Sequence, residues 1–149
     1  MILVENFLSL EKQLCFAVYE TSSEFNKLYT SVLQPFGLTY PQYLVLLALW
    51  EKDGVTLKEL GSKLNLGTGT LTPMITRMSD NDWLRKERSK TDERKVYIYI
   101  QPKAIQEQQE ITQKVKEEIL SCHIELREYE QLMEQLKKLH NKLKNRNEN

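Results

Sequence analysis

The sequence predicts a mainly α-helical chain of 149 residues with one small β-wing. Three observations carry that expectation. Apolar residues recur at helical spacing over most of the chain, as in Leu71, Ile75 and Met78 at i, i+4 and i+7. The segment Lys95-Val96-Tyr97-Ile98-Tyr99-Ile100 alternates Val96, Ile98 and Ile100 with tyrosines, which is the period of a strand. Trp83–Arg88 reads as a strand before it, and the polar tip Ser89-Lys90-Thr91-Asp92-Glu93-Arg94 joins the two. Helix, turn, helix and a basic two-stranded wing, in that order, make a winged helix-turn-helix over residues 52–101. Residues 1–50 and 102–149 then supply core and dimerisation helices of a single subunit, residues 1–149.

Taken in order, Ser9 to Val32 reads as a long helix ending near Pro35-Phe36-Gly37. Its apolar positions Leu14, Val18, Phe25, Leu28 and Val32 drift around the axis, a face too broad for one short neighbour to bury. Thr39 caps a second helix with Pro41 in its first turn, and Leu44 to Leu49 are consecutively apolar, so this helix belongs at the centre of the core. Thr56 and Glu59 form a capping-box pair for Leu57–Leu64, and Asn65-Leu66-Gly67-Thr68-Gly69 is the connecting turn. In the next helix Thr70 caps the start and Pro73 falls in the first turn. Its outer arc of Gly69, Thr72, Pro73, Thr76 and Arg77 is nearly uncharged, which suits close approach to another surface. After Pro102, Ala104–Leu120 carries a thin seam of Ile105, Ile111, Val115 and Ile119. A last helix from about Glu125 carries Leu132, Leu136, Leu139 and Leu143. Narrow seams flanked by charge pack helix on helix. Both ends therefore offer more apolar stripe than the central module covers, and an intertwined helical homodimer is the expected assembly.

Charge is divided along the chain. Residues 52–103 hold 11 Lys and Arg against 7 Asp and Glu, while the remainder holds 10 against 14, so a formal net charge of zero conceals a positive central module. Positive charge on the winged module points to double-stranded DNA as partner, because phosphate neutralisation supplies most sequence-independent affinity. A twofold dimer would set its two recognition helices about 34 Å apart and require a near-palindromic operator. Thr70, Thr72, Thr76 and Arg77 are the candidates for base edges or phosphates, and Thr68 lies at a helix N-terminus that suits a phosphate. Arg94 is placed in the minor groove, its guanidinium held by Asp92, with Arg85, Lys86, Arg88, Lys90 and Lys95 as backbone contacts or bystanders.

Enzyme readings find no support. There is no Walker A loop, dinucleotide fingerprint or nucleophile elbow. His123 and His140 are the only histidines, and Cys122-His123 would point about 100° apart on a helix, a poor chelate. No cofactor and no metal are expected. No apolar run is long enough to span a bilayer, and Glu5 and Asn6 in the opening stretch argue against a signal peptide. A cytoplasmic location follows, with Cys15 and Cys122 as reduced thiols. By the residues alone, Cys15 is either a small core hydrophobe between Leu14 and Phe16 or a reactive thiol with Tyr19 one helical turn away. Tyr29 stands about 21 Å further along a straight helix and cannot reach its own Cys15.

Three separated motifs carry a family resemblance: Gln13-Leu14-Cys15-Phe16, Leu38-Thr39-Tyr40-Pro41-Gln42-Tyr43, and Gly69-Thr70-Leu71-Thr72-Pro73, with Asp92-Glu93-Arg94 at the wing. Residues 8–102 resemble the MarR family, and within it the organic-hydroperoxide repressors of the OhrR type and staphylococcal oxidation sensors of the SarZ and AbfR kinds. Gly67-Thr68 depart from the Asp-Ser pair common in that subgroup. The resemblance implies a repressor that loses DNA affinity when a peroxide or other oxidant modifies Cys15, with Tyr19, Tyr29 and Tyr40, the last two from the partner, supporting the thiolate. It also implies that Cys122 of the partner captures oxidised Cys15 as an intersubunit disulfide, although capping by a small cellular thiol remains equally open. The alternative is a MarR-type repressor released by a small aromatic ligand in the dimer cleft, with Cys15 only packing.

Overall fold

The computed structural model describes residues 4–148. Six α-helices and a three-stranded antiparallel sheet follow in the order α1 (Leu14–Leu33), α2 (Tyr40–Glu51), β1 (Val55–Thr56), α3 (Leu57–Leu64), α4 (Thr68–Asp80), β2 (Leu84–Arg88), β3 (Val96–Ile100), α5 (Pro102–Ser121) and α6 (Leu126–Lys144). This is a winged helix-turn-helix, with α4 as second helix of the pair and β2–β3 as wing.

The start of α1 differs from expectation. A short 3-10 turn at Leu10–Lys12 precedes it, and Gln13 is extended (φ −83°, ψ 126°) as its N-cap. Leu8 and Leu10 are exposed on this subunit, so no packing surface rewards extending the helix back to Ser9. Cys15 consequently lies in the first turn. The α2 start follows the sequence closely: Thr39 Oγ1 accepts from Gln42 N at 3.3 Å and Thr39 N donates to Gln42 Oε1 at 3.1 Å, a complete capping box. At α3 only half of the expected box forms. Thr56 Oγ1 accepts from Glu59 N at 3.1 Å, while the backbone of Thr56 is committed to β1, opposite Tyr97.

Helix α4 starts earlier than its threonines suggest. Thr70 N and Leu71 N both donate to the Gly67 carbonyl, so Gly67 is the N-cap and Thr70 is the third helical residue. Pro73 therefore sits inside the helix rather than in its first turn. It can give no N–H to the Gly69 carbonyl four residues back, and both residues are exposed, so that carbonyl is open to solvent.

Strand β1 has two residues, too few for a periodic signal, and it joins the wing in the order β1-β3-β2. Gly54 before it is left-handed (φ +69°), and a Cβ there would lie 2.9 Å from the Tyr99 ring. Glycine is required on both counts.

The core is built around α2, whose Val45, Leu46 and Leu49 are fully buried against Leu33 of α1, Leu60 of α3, Leu71, Ile75 and Met78 of α4, Ile98 of β3 and Ile111 of α5. Trp83, leading into β2, is buried to 1 % exposure. Helix α6 buries none of its residues. Leu132, Leu136 and Leu143 on it, and Leu14, Val18 and Phe25 on α1, form apolar stripes that this subunit leaves in water. Among the described residues no single helix is long and apolar enough to cross a membrane.

Candidate functional site

Two regions carry the residues singled out above: the outer face of α4 with the wing, and the start of α1 with a group of tyrosines.

On α4, Thr68, Thr70, Thr72 and Arg77 are exposed and Thr76 is half-buried. The Thr76 hydroxyl is already engaged. It donates to the Thr72 carbonyl at 3.1 Å and accepts from Lys86 Nζ of β2 at 3.1 Å. The far end of α4 is tied down by Lys103 of α5, whose Nζ donates to the Asn81 carbonyl at 3.0 Å and lies 4.3 Å above the centre of the Trp83 ring. A cation among the last carbonyls of a helix complements its dipole.

At the wing tip, Ser89 Oγ accepts from the Thr91 and Asp92 amides, both at 3.2 Å, and Lys95 N donates to the Asp92 carbonyl at 3.0 Å. The expected Asp92–Arg94 guanidinium pair does not form. Asp92 Oδ1 instead accepts from the Arg94 backbone amide at 3.1 Å, the local i to i+2 bond that a short carboxylate makes in a turn. Asp92 thus shapes the tip, and the Arg94 side chain is exposed with no ion pair among the described residues. Arg88 and Lys90 are both exposed, the Arg88 guanidinium donating to the Glu93 carbonyl at 2.8 Å.

Both cysteines are free and exposed. Cys15 Sγ lies 3.8 Å from Gln13 Oε1, in a first helical turn that Ala17 N closes onto the Gln13 carbonyl at 3.2 Å and whose earlier N–H groups have no intrahelical partners. Tyr19 is exposed one turn on. Tyr29 and Tyr40 stack on each other within this subunit (centroids 4.6 Å apart, planes at 11°), and α1 is unbroken between Cys15 and Tyr29. The structure therefore brings Tyr29 and Tyr40 together and leaves Cys15 and Tyr19 apart from them. Cys122 caps the end of α5, its thiol donating to the Glu118 carbonyl at 3.5 Å.

Two tyrosines of this group were missed from sequence. Tyr43 stacks on Tyr29 at 5.7 Å and meets Trp50 edge-on at 6.5 Å. Its signal was its position three residues after Tyr40 on the same helix. Tyr129 on α6 adds its field to both Tyr29 and Tyr43, and nothing in its sequence surroundings announces that. Burial first, then the neighbouring phenols of Tyr43, Tyr40 and Tyr129, push Tyr29 up from 10.0 to about 12. Tyr43 is raised by burial and by Tyr129 and Tyr40. Tyr29 therefore remains a hydrogen-bond donor at any physiological pH. A phenol whose pKa rises on folding contributes its stability fully below the unfolded value near 10 and loses it as pH climbs to about 12. Thermal midpoints should fall over that window, and fall less in Tyr29→Phe, as a melting series in pH would show.

Residues 27–115, more than half of the chain, match the profile described as transcriptional regulator SarA/Rot. The chain belongs to the SarA/Rot family of transcriptional regulators. The SarA/Rot segment spans α2 to the wing and part of α1 and α5, and so includes Tyr29 and Tyr40 but neither cysteine. Relatives extend the likeness. The chain is 50 % identical over 95 residues to the HTH-type transcriptional regulator TtmR of Methylorubrum extorquens, a match covering 64 % of this chain and 49 % of that protein. It is 47 % identical over 91 residues to the organic hydroperoxide resistance transcriptional regulator of Bacillus subtilis, covering 61 % of this chain and 62 % of that one. These matches span about half to three-fifths of the two relatives' lengths. Reduced AbfR bound to DNA, the Staphylococcus epidermidis protein, superposes with a TM-score of 0.84 at 34 % identity over 95 % of this chain and 97 % of that one. Its disulfide form gives 0.68 at the same identity over 97 % of each. The MarR-type, OhrR-like resemblance of the three motifs is borne out, and this SarA/Rot chain superposes better on the reduced, DNA-bound AbfR than on its disulfide form.

Proposed function

We propose that this SarA/Rot-family chain is a homodimeric, DNA-binding transcriptional repressor that is released from a near-palindromic operator when Cys15 is oxidised. The observation that carries the reading is the place of Cys15. It is an exposed thiol in the first turn of α1, on an apolar face that its own subunit leaves uncovered and far from its own Tyr29–Tyr40 stack. A second copy with its α1 antiparallel would cover that face and carry the partner's tyrosine stack toward the sulfur, where a protonated Tyr29 can donate to a thiolate. Reactive cysteines favour helix N-termini because unpaired N–H groups and the helix dipole stabilise negative charge.

Residues 1–50 and 102–149 supply the dimerisation helices and part of the core around the module of residues 52–101. Within it, exposed Thr68, Thr70, Thr72 and Arg77 face the major groove, and Arg94 enters the minor groove from a tip shaped by Asp92. Lys90 contacts phosphate, and Arg88 supports the tip. In the switch, the Cys15 thiolate attacks the peroxide O–O bond, giving a sulfenic acid and an alcohol. The Cys122 thiol of the partner then displaces water to form a disulfide. A disulfide needs Cα atoms within about 7 Å, so the helices bearing the two cysteines must shift, and the recognition helices with them. The oxidised AbfR relative supports this route by its disulfide. A cytoplasmic setting suits the reduced resting thiol.

Binding to the DNA upstream of the coding region, followed across salt, tests the DNA part. With six to ten phosphate contacts, affinity should fall about a thousandfold or more from 50 to 200 mM salt. Arg94→Ala should weaken binding about tenfold or more. A flat salt response would remove DNA from the account. For the dimer, Leu136→Asp places a carboxylate in the uncovered α6 stripe. Sedimentation at micromolar concentration should then shift from twice the 17.6 kDa chain mass toward the single chain. An unchanged mass would move the interface elsewhere.

A further inference from the structure

Lys86 lies opposite Ile98 in the β2–β3 ladder, so the two side chains share a sheet face, and Ile98 is fully buried on it. That face is turned to α4. Arg85 and Glu87, the neighbours of Lys86 in β2, point the other way and pair with each other, and Arg85 also lies 4.3 Å over the Tyr99 ring. No carboxylate is paired with Lys86 among the described residues. Its ammonium instead donates to Thr76 Oγ1, which donates in turn to the Thr72 carbonyl. A hydroxyl has one proton to give, and that proton is spent inside the helix.

We propose that Lys86 is a positioning residue, a strut from the wing to the middle of the recognition helix that acts through Thr76 and sets the angle between the two DNA-contacting elements. Thr76 is then not a base reader. Both wing and α4 must engage DNA at once for either to contribute fully, so loosening their angle weakens binding without removing any contact to DNA. The inference rests on the DNA-binding reading, yet the strut itself exists without DNA.

The test uses full-length Lys86→Met, Thr76→Val, Thr76→Ser and the Lys86→Met/Thr76→Val double variant. Without DNA, amide hydrogen exchange across residues 84–100 should quicken alike in Lys86→Met and Thr76→Val, and stay as in the wild type in Thr76→Ser, which keeps the hydroxyl. With operator DNA, each of the two single variants should bind about three- to tenfold more weakly, the range of one modest hydrogen bond. The double variant should be no worse than either single, and the salt slope should be unchanged. Additive losses with a salt slope reduced by about one would make Lys86 a phosphate contact and overturn the strut. Unchanged exchange in Lys86→Met would overturn it too, whether or not the protein binds DNA. Variants that show this exchange pattern, together with a wild-type protein that shows no salt-dependent binding, would keep the strut and sink the DNA reading alone.

Discussion

Cys15→Ser is expected to leave the reduced protein's DNA affinity within about twofold of wild type and to abolish its response to organic hydroperoxide. Serine differs from cysteine by one atom, and the site is exposed, so no packing is lost on this subunit. The hydroxyl cannot form a sulfenic acid, so the first covalent step disappears. Cys122→Ser should separate the two later routes. If the partner's Cys122 resolves the sulfenic acid, the peroxide-induced, thiol-reversible dimer band vanishes with it. If that band persists, Cys122 has no part in the switch. A Cys15→Ser protein still released by hydroperoxide would return Cys15 to a packing role and favour release by a small aromatic ligand.

Trp83→Ala should destabilise the fold by about 3–5 kcal/mol, the usual loss for a large buried aromatic. Trp83 is among the largest fully buried side chains, joins α4 to the wing, and carries the Lys103 ammonium on its face while its carbonyl accepts from Gln101 N at 3.0 Å. Truncation opens a cavity and strips the cation of its aromatic partner at once. Against a total stability of about 5–15 kcal/mol, that loss removes roughly a fifth to all of the total, while Trp83→Phe should lose much less. Denaturant unfolding measures the difference. A loss under about 1 kcal/mol would mean that the helix-turn-helix does not depend on this ring.

Most helices and the wing were readable from the sequence because burial imposes period on them. Leu71, Ile75 and Met78 had to share a face, and Ile98 had to face the core. What failed was set by contacts that period does not encode. The start of α1 depends on whether Leu8 and Leu10 find a surface to cover, which is a tertiary question. The start of α4 went to Gly67 because two amides close on its carbonyl, although Thr70 is the better capping side chain. β1 was too short to show alternation. At the wing, charge complementarity suggested an Asp92–Arg94 pair, but the backbone amide of Arg94 was nearer in the turn and took the carboxylate. Tyr129 stayed hidden because a residue at the start of an exposed helix gives no hint of the aromatic stack beside it.

The most direct test of the central claim is a gel shift on the DNA upstream of the coding region, with one sample reduced, one treated with stoichiometric organic hydroperoxide, and one treated and then given dithiothreitol. A thiol-switched repressor binds in the first, is released in the second and binds again in the third. Binding of equal strength in all three lanes would contradict the switch and leave a DNA-binding regulator whose signal is something other than oxidation of Cys15.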